Sequence, residues 1–250
     1  MHMYFKATAL LYTLTVFTII ILLVGIYANI YLWRKGKAKS LHQKLHYCSM
    51  IKALILDVLL QAQLFKQNIV RWLMHFCIFW GFLGLLAHTT FLAIMSHFLS
   101  PNLSFTQYIF LGPGRQILDV WGDLWGLILF IGIAIALLRR YIFKAEQLDT
   151  ISSDTTAILF LLFISLTGFF SEAQRLAALD FEPYMRYSFI GCPLASLIRS
   201  MPSLTINYYS IVWIHTLISI VFLAYIPFSK MFHVFVSPVE IALDASEKKD

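Results

Sequence analysis

Two histidines, His215 and His233, lie eighteen residues apart across the last apolar stretch of the chain. Two more, His75 and His88, lie thirteen apart across the second. An imidazole within a membrane helix is costly unless something satisfies it, so such residues lean toward ligand or proton chemistry. On a helix rising ~1.5 Å per residue, His88 lies about 20 Å from His75 along the axis, and His215 about 27 Å from His233. Pairing by depth then joins His75 with His233 and His88 with His215. Two neutral imidazoles from different helices can take both axial positions of a haem b iron. They leave no open position, which suits electron transfer rather than oxygen chemistry. Two such pairs give two haem b groups at separate levels. A lone buried histidine is more often a hydrogen-bonded packing residue than a ligand, but four in matched positions on two helices shift that balance. Zinc fits less well, because it wants four ligands clustered at one depth. Thirteen residues turn His88 away from the face of His75. His97 returns to that face near or beyond the outer boundary, and is the contender for the same position. His2, His42 and His46 read as solvent or interface residues.

These histidines need helices to hold them. The chain is 60% hydrophobic and 13% charged, against about 25% charged in a typical soluble domain. That composition marks an integral membrane protein. About 20 apolar residues cross a bilayer as a helix, and five stretches qualify: residues 9–33, 72–98, 120–138, 156–170 and 208–228. The fourth is the shortest and calls for an extended end or a locally thinned membrane. The predicted fold is all-α, five transmembrane helices in a single membrane domain over residues 1–250. The first stretch is too long for a cleaved signal peptide and lacks a small-residue cleavage site, so it reads as a retained span. Fourteen of the nineteen basic residues fall on one set of loops, from Arg34 to Arg71, after Arg139 and in the tail. That bias places the N-terminus outside and the C-terminus in the cytoplasm, in the cytoplasmic membrane. The net charge of +6 is assigned to lipid headgroups and topology rather than to nucleic acid.

Met50–Lys66 is apolar but interrupted by Lys52, Asp57 and glutamines, and reads as an amphipathic helix on the cytoplasmic face. Ser171–Asn207, with Pro183, Pro193 and Pro202, reads as an irregular outer cap with one short helix. The ALDASEKKD tail reads as mobile. The three cysteines are scattered, without CxxC or CxxCH. This pattern argues against a c-type haem and against an iron–sulfur cluster held by the chain itself. Cys77, in an apolar span, reads as a small core residue. Gly81 and Gly84 would let a bulky ring or a neighbouring helix approach the second span.

Four segments carry a family resemblance: RWLMHFCIFWGFLG at Arg71–Gly84, DLWGLILFIGIAIALLRR at Asp123–Arg140, Asp154 with TGFFSEAQR at Thr167–Arg175, and WIHTLISIVFLAYIPFSKMFHVFVSP at Trp213–Pro238. Together they resemble the cytochrome b family of the respiratory nitrate reductase gamma subunit. Relatives of that family include the membrane cytochromes of the sulfite-reduction-associated complex and of membrane-bound heterodisulfide reductase. The stretch ALILDVLLQAQLFKQNIVRWLMH is closer to the latter branch. The resemblance covers nearly the whole chain. It implies five helices, an outside N-terminus and two b haems, with local motifs matching at His75, His215 and His233. It also implies a quinol-like lipid carrier and a cytoplasmic iron–sulfur subunit docked below. The second-span histidines are closer together here than in the nitrate reductase members, which bears on the outer haem's second ligand and on the haem count.

The resemblance thus implies a di-haem b electron-transfer subunit of an oxidoreductase complex. It would work between a lipid pool (menaquinol, ubiquinol or methanophenazine) and the cytoplasmic iron–sulfur partner, with further membrane or outer-side redox subunits as additional partners. The residues allow either direction of flow. Oxidising a quinol needs an acid–base group near the outer haem, and the candidates are Asp119, Asp123, Glu172 and Arg175. Glu172 and Arg175, one turn apart, could simply pair. Asp119 and Asp123 could simply begin the third helix, where acids favour the positive dipole end. GPGR at Gly112–Arg115 reads as a turn, with Arg115 a candidate for a haem propionate. Arg139, Arg140 and Lys230 are the matching candidates at the cytoplasmic side, with lipid headgroup contact the plainer role. The basic loop Arg34–Arg71 and the tail form the expected partner surface. The alternatives are a non-redox membrane anchor or a proton-coupled transporter, which would also use intramembrane histidines and acids. A carrier often shows internal repeats and broken helices, and the sequence has no such repeat.

Overall fold

A computed structural model describes residues 9–36, 46–97, 99–100, 102–143, 152–179 and 183–247, and among them every regular element is helical. The α-helices in chain order are α1 (Ala9–Gly36), α2 (Tyr47–Ala53), α3 (Ala62–Gln67), α4 (Ile69–His97), α5 (Ser104–Leu111), α6 (Gly114–Leu137), α7 (Ser152–Ala177), α8 (Gly191–Ser200), α9 (Tyr208–Tyr225) and α10 (His233–Glu247). Five of them, α1, α4, α6, α7 and α9, are long and apolar enough to cross a membrane. The chain is a multi-pass membrane protein of five spanning helices.

The span limits differ most where polar residues find partners within the fold. The fourth span is not short. It runs 26 residues, Ser152–Ala177, because Ser171, Glu172, Gln174 and Arg175 all bond inside it or to the cap. No thinned membrane is needed. The third begins at Gly114 rather than Val120; Gly112–Arg115 forms the expected turn, closed by the Arg115 amide on the Gly112 carbonyl at 3.1 Å, and it leads directly into the helix. Asp119 and Asp123 lie beyond the first turn of α6 and are not helix-start residues. Met50–Lys66 is not one helix. A π-helical stretch, Leu54–Leu59, follows α2, and Gln61 then adopts the left-handed backbone at φ 54° before α3. The cap segment between α7 and α9 contains α8 and two 3-10 turns, Pro183–Tyr187 and Pro202–Leu204. Most of the tail is helix α10, and its residues 248–250 lie outside the described residues, as do His2 and His42.

The chain divides into two compact units. The first comprises Met74–Leu148 and Ile158–Ile218. Within it, α4 and α6 come backbone to backbone. A Cβ at Gly81 would lie 2.5 Å from the Leu129 amide nitrogen, and one at Gly132 would lie 2.8 Å from that of Ile78 and 2.9 Å from Cys77 Cβ. Gly84 is covered by the Trp125 ring, while the Trp121 indole N–H donates to the Gly84 carbonyl at 3.0 Å. Small residues at a membrane helix contact permit this approach, and dispersion between the closely fitted surfaces then holds it. The neighbouring element at Gly81 and Gly84 is thus helix α6. Cys77, half-buried, lies against Gly132 at this contact.

The second unit comprises Lys6–Leu73, Asp149–Ala157 and Ser219–Asp250. Pro227 ends α9 by a 3-10 turn, Ile226–Phe228, and its carbonyl would lack a donor in apolar surroundings. Asn29 Nδ2 supplies one at 3.0 Å while also donating to Gly25 O at 2.9 Å. Helix α10 packs on α2, where the Ser246 hydroxyl accepts from His46 N at 3.1 Å. The Trp72 indole donates to Leu60 O at 3.0 Å, and its ring meets Phe65 edge-on.

Candidate haem and carrier site

His88 projects from α4 onto the N-terminal half of α6. Its ring lies against Gly122, where a Cβ would come within 3.2 Å of Cε1. It stacks at 6.5 Å on Trp121 and bonds the Leu118 carbonyl. Its Nε2 is buried without a hydrogen-bond partner, so Nδ1–H makes the Leu118 bond. The ring therefore carries its proton on Nδ1 and presents the lone pair of Nε2.

His215 projects from α9 onto α7 in the same way. A Cβ at Gly168 would lie 3.3 Å from its Cε1. Thr167 Oγ1 lies 3.0 Å from Nδ1. That hydroxyl has one hydrogen and spends it on the Phe163 carbonyl at 2.6 Å, so Nδ1–H is the donor and Thr167 the acceptor. The ring also bonds the Ile164 carbonyl. His215 thus holds the same tautomer as His88.

His233, in the second unit, repeats the arrangement a third time. Its Nδ1 lies 2.7 Å from the Lys230 carbonyl. A carbonyl can only accept, so Nδ1 carries the proton here too. His75 lies partly buried in the second turn of α4. The side chain of His97 lies outside the described residues.

A ligating histidine characteristically donates its second ring nitrogen to an oxygen, which fixes the tautomer and raises the basicity of the other. His88 and His215 do this from different helices, each over a glycine. The orphaned Nε2 of His88 is what an absent electrophile would leave behind. The chemistry of each ring, a neutral imidazole tied at Nδ1, therefore fits that of a haem-iron ligand. Among the described residues no group of three or more His, Cys, Asp or Glu side chains gathers to hold a metal ion.

Beside His88, the four acid–base candidates come together. Arg115 Nη2 lies 2.7 Å from Asp119 Oδ1, and Arg175 Nη2 lies 3.8 Å from the same oxygen and 3.7 Å from Glu172 Oε1. Arg115 is thus engaged with Asp119. Glu172 and Arg175 do pair, but within a larger cluster. Asp123 is 0% exposed. Its Oδ2 accepts from the amides of Ile190 at 2.6 Å and Gly191 at 3.3 Å, where the cap enters α8. Ser188 donates to Glu172 Oε1 at 2.9 Å, and Glu172 also faces Asp123. The cap is fastened to α7 as well. Gln174 donates to the Leu204 carbonyl at 2.7 Å, and the Arg199 guanidinium reaches the carbonyls of Leu176, Ala177 and Leu179.

Arg139 and Arg140 are partly buried in a π-helical turn, Leu138–Ile142, and Lys230 is exposed beside His233. Sequence reasoning did not single out Thr167, Gly122, Gly168, Ser188 or the amides of Ile190 and Gly191. A hydroxyl within an apolar span was the available signal for Thr167. The amides leave no signal in residue identity.

The model of the HdrE family, the E-type subunit of dihydromethanophenazine:CoB–CoM heterodisulfide reductase, matches residues 51–241. The chain is similar to the HdrE protein from Methanosarcina mazei, 28% identical over 84% of this chain and 72% of the relative. The Methanosarcina acetivorans protein is 30% identical over 78% of this chain and 67% of its own. An EtfAB:quinone oxidoreductase from Syntrophomonas wolfei is 29% identical over 91% of this chain, which covers 32% of that longer protein. No solved structure matches.

Proposed function

The chain belongs to the HdrE family of heterodisulfide reductase proteins, and from that premise we propose that it carries two b haems and moves electrons between a reduced lipid carrier and a cytoplasmic iron–sulfur subunit. It is a membrane electron-transfer subunit of a heterodisulfide reductase-type complex. The names of its relatives include a dihydrophenazine lipid and a quinone, and the carrier proposed for this chain is of that class. His88 and His215 would hold the outer haem, and His75 and His233, paired by sequence depth, the inner one. Bound there, a bis-imidazole haem supplies one-electron relay with no open position for substrate.

The chain's own residues do the rest. Leu118 O, Thr167 Oγ1 and Lys230 O fix three rings with Nε2 outward. Apolar helices exclude water. Arg115, engaged with Asp119, is the propionate partner proposed near His88, and Arg139, Arg140 and Lys230 are the counterparts proposed at the other level. Asp119, Asp123, Glu172 and Arg175 form the acid–base side of the carrier site.

One observation carries this reading. The buried imidazole of His88 has Nδ1 tied and Nε2 without a partner, as an axial ligand requires. Purified protein should show the reduced alpha band of low-spin haem b and about two haems per chain by pyridine extraction. His215→Ala should remove one and leave the other. A colourless, folded preparation, or a His215→Ala variant with full haem content, refutes it.

A further inference from the structure

The cluster beside His88 does not balance its charges. Two guanidiniums, Arg115 and Arg175, face three carboxyls, Asp119, Asp123 and Glu172. Asp119 and Asp123 are 3% and 0% exposed. An uncompensated negative charge in so dry a place is strongly unfavourable, and two carboxylates sharing one site hold a proton between them. The hydrogen bonds point to where it sits. Asp123 Oδ2 takes two backbone amides, but its Oδ1, fully buried, has no donor among the described residues when all three carboxyls are charged. Glu172 faces it, and a proton on Glu172 supplies the missing donor. Asp119 is different. Arg115 and Arg175 both hold its Oδ1, and its buried Oδ2 has no donor among the described residues. Of the three carboxyls, Asp119 also lies close enough to act on His88.

We propose that Asp119 accepts the hydroxyl (or ring N–H) proton of the lipid carrier at Oδ2, and that Glu172 and Asp123 form a proton-sharing pair that passes it to bulk water beside the cap. The proposal rests on the carrier-oxidising reading above. In the transfer, the carrier's O–H or N–H bond breaks, its electron pair stays on the carrier, and the new bond is Oδ2–H of Asp119. Glu172 gives its proton to Asp123 and takes the one from Asp119. Glu172, its side chain 20% exposed beside Ser188 of the cap, then gives that proton to bulk water as the final acceptor, and Asp123 returns the shared proton to Glu172. Two such transfers accompany each carrier oxidised, whose two electrons leave one at a time by the relay proposed above. The other groups facing the cluster are His88 on α4 and Tyr208 on α9, which faces Arg175.

The test is infrared spectroscopy of the purified full-length protein at neutral pH, in water and in deuterium oxide. The wild type should show the C=O stretch of one buried protonated carboxyl, shifted by deuterium. Glu172→Gln should abolish it. Asp119→Asn should oxidise a soluble dihydrophenazine or quinol about a hundredfold more slowly with unchanged haem content. Glu172→Gln keeps an acceptor for Ser188, and Asp123→Asn keeps one for the two amides, so a band lost in both with helicity intact supports the pair. A wild type without the band, or a band untouched in both variants, overturns the proposal. Missing haem would overturn the electron-transfer reading instead, by a separate measurement.

Discussion

Thr167→Val is the sharpest probe of how the imidazoles are held. Valine matches the shape of threonine but removes the oxygen that accepts from His215 Nδ1–H at 3.0 Å. The bond to Phe163 O at 2.6 Å goes with it, while the contact of His215 with Ile164 O remains. The loss is therefore one hydrogen bond of a ring that keeps another, roughly 1 kcal/mol. An oxygen accepting from Nδ1–H makes Nε2 the more basic, which favours the ferric over the ferrous state. Removing it should raise the potential of the His88/His215 haem. For one electron, ~1 kcal/mol corresponds to about 40 mV. A redox titration followed at the alpha band should resolve two components, one moved up by that amount and the other fixed, with both haems retained. Thr167→Ser should restore the original value. No shift, an equal shift of both components, or a shift downward would refute the tautomer argument for His215.

Three further outcomes follow from the same geometry. Gly122→Ala places a methyl 3.2 Å from His88 Cε1, tighter than ordinary contact. The ring must tilt, and the haem proposed at His88 and His215 should be bound about 10- to 100-fold more weakly, measured as haem retained on dilution in detergent. Gly81→Ala puts a Cβ 2.5 Å from the Leu129 amide nitrogen. It forces α4 and α6 apart at a cost of about 1–3 kcal/mol, read as a lower unfolding temperature in detergent. Arg199→Ala frees the last carbonyls of α7 and should cost about 1–2 kcal/mol, with cleavage in the cap accelerated under limited proteolysis.

The five spans were legible because lipid demands long apolar runs, and nothing in the fold overrides that demand. Their ends were not. Hydropathy counts Glu172, Gln174 and Arg175 against a helix, yet each finds its partner inside, so α7 continues past Phe170 to Ala177. Arg115 and Asp119 lengthen α6 at its start for the same reason. The break at Gln61 was invisible because a left-handed backbone is ordinarily announced by glycine or asparagine, and glutamine gives no such warning. Within the site, His88 and His215 could be found by residue type, and Asp119, Asp123, Glu172 and Arg175 by charge in an apolar setting. The meeting of those four charged residues could not, since it depends on α6, α7 and the cap arriving together. Leu118 O, Ile190 N and Gly191 N are beyond any reading of residue identity, because every position but proline offers the same groups.

The carbonyl tethers of His88 and His233 have an evolutionary corollary. Leu118 and Lys230 act through oxygens that any amino acid would bring, so replacement at either position leaves the aim of the imidazole intact. What would spoil it is a change in helical phase. Deleting one residue between 118 and 122 would swing the following face of α6 by about 100° and carry Gly122 out from beneath the ring. Drift in this lineage should thus be free in side chain and strict in spacing, with position 167, where the tether is a hydroxyl, the exception.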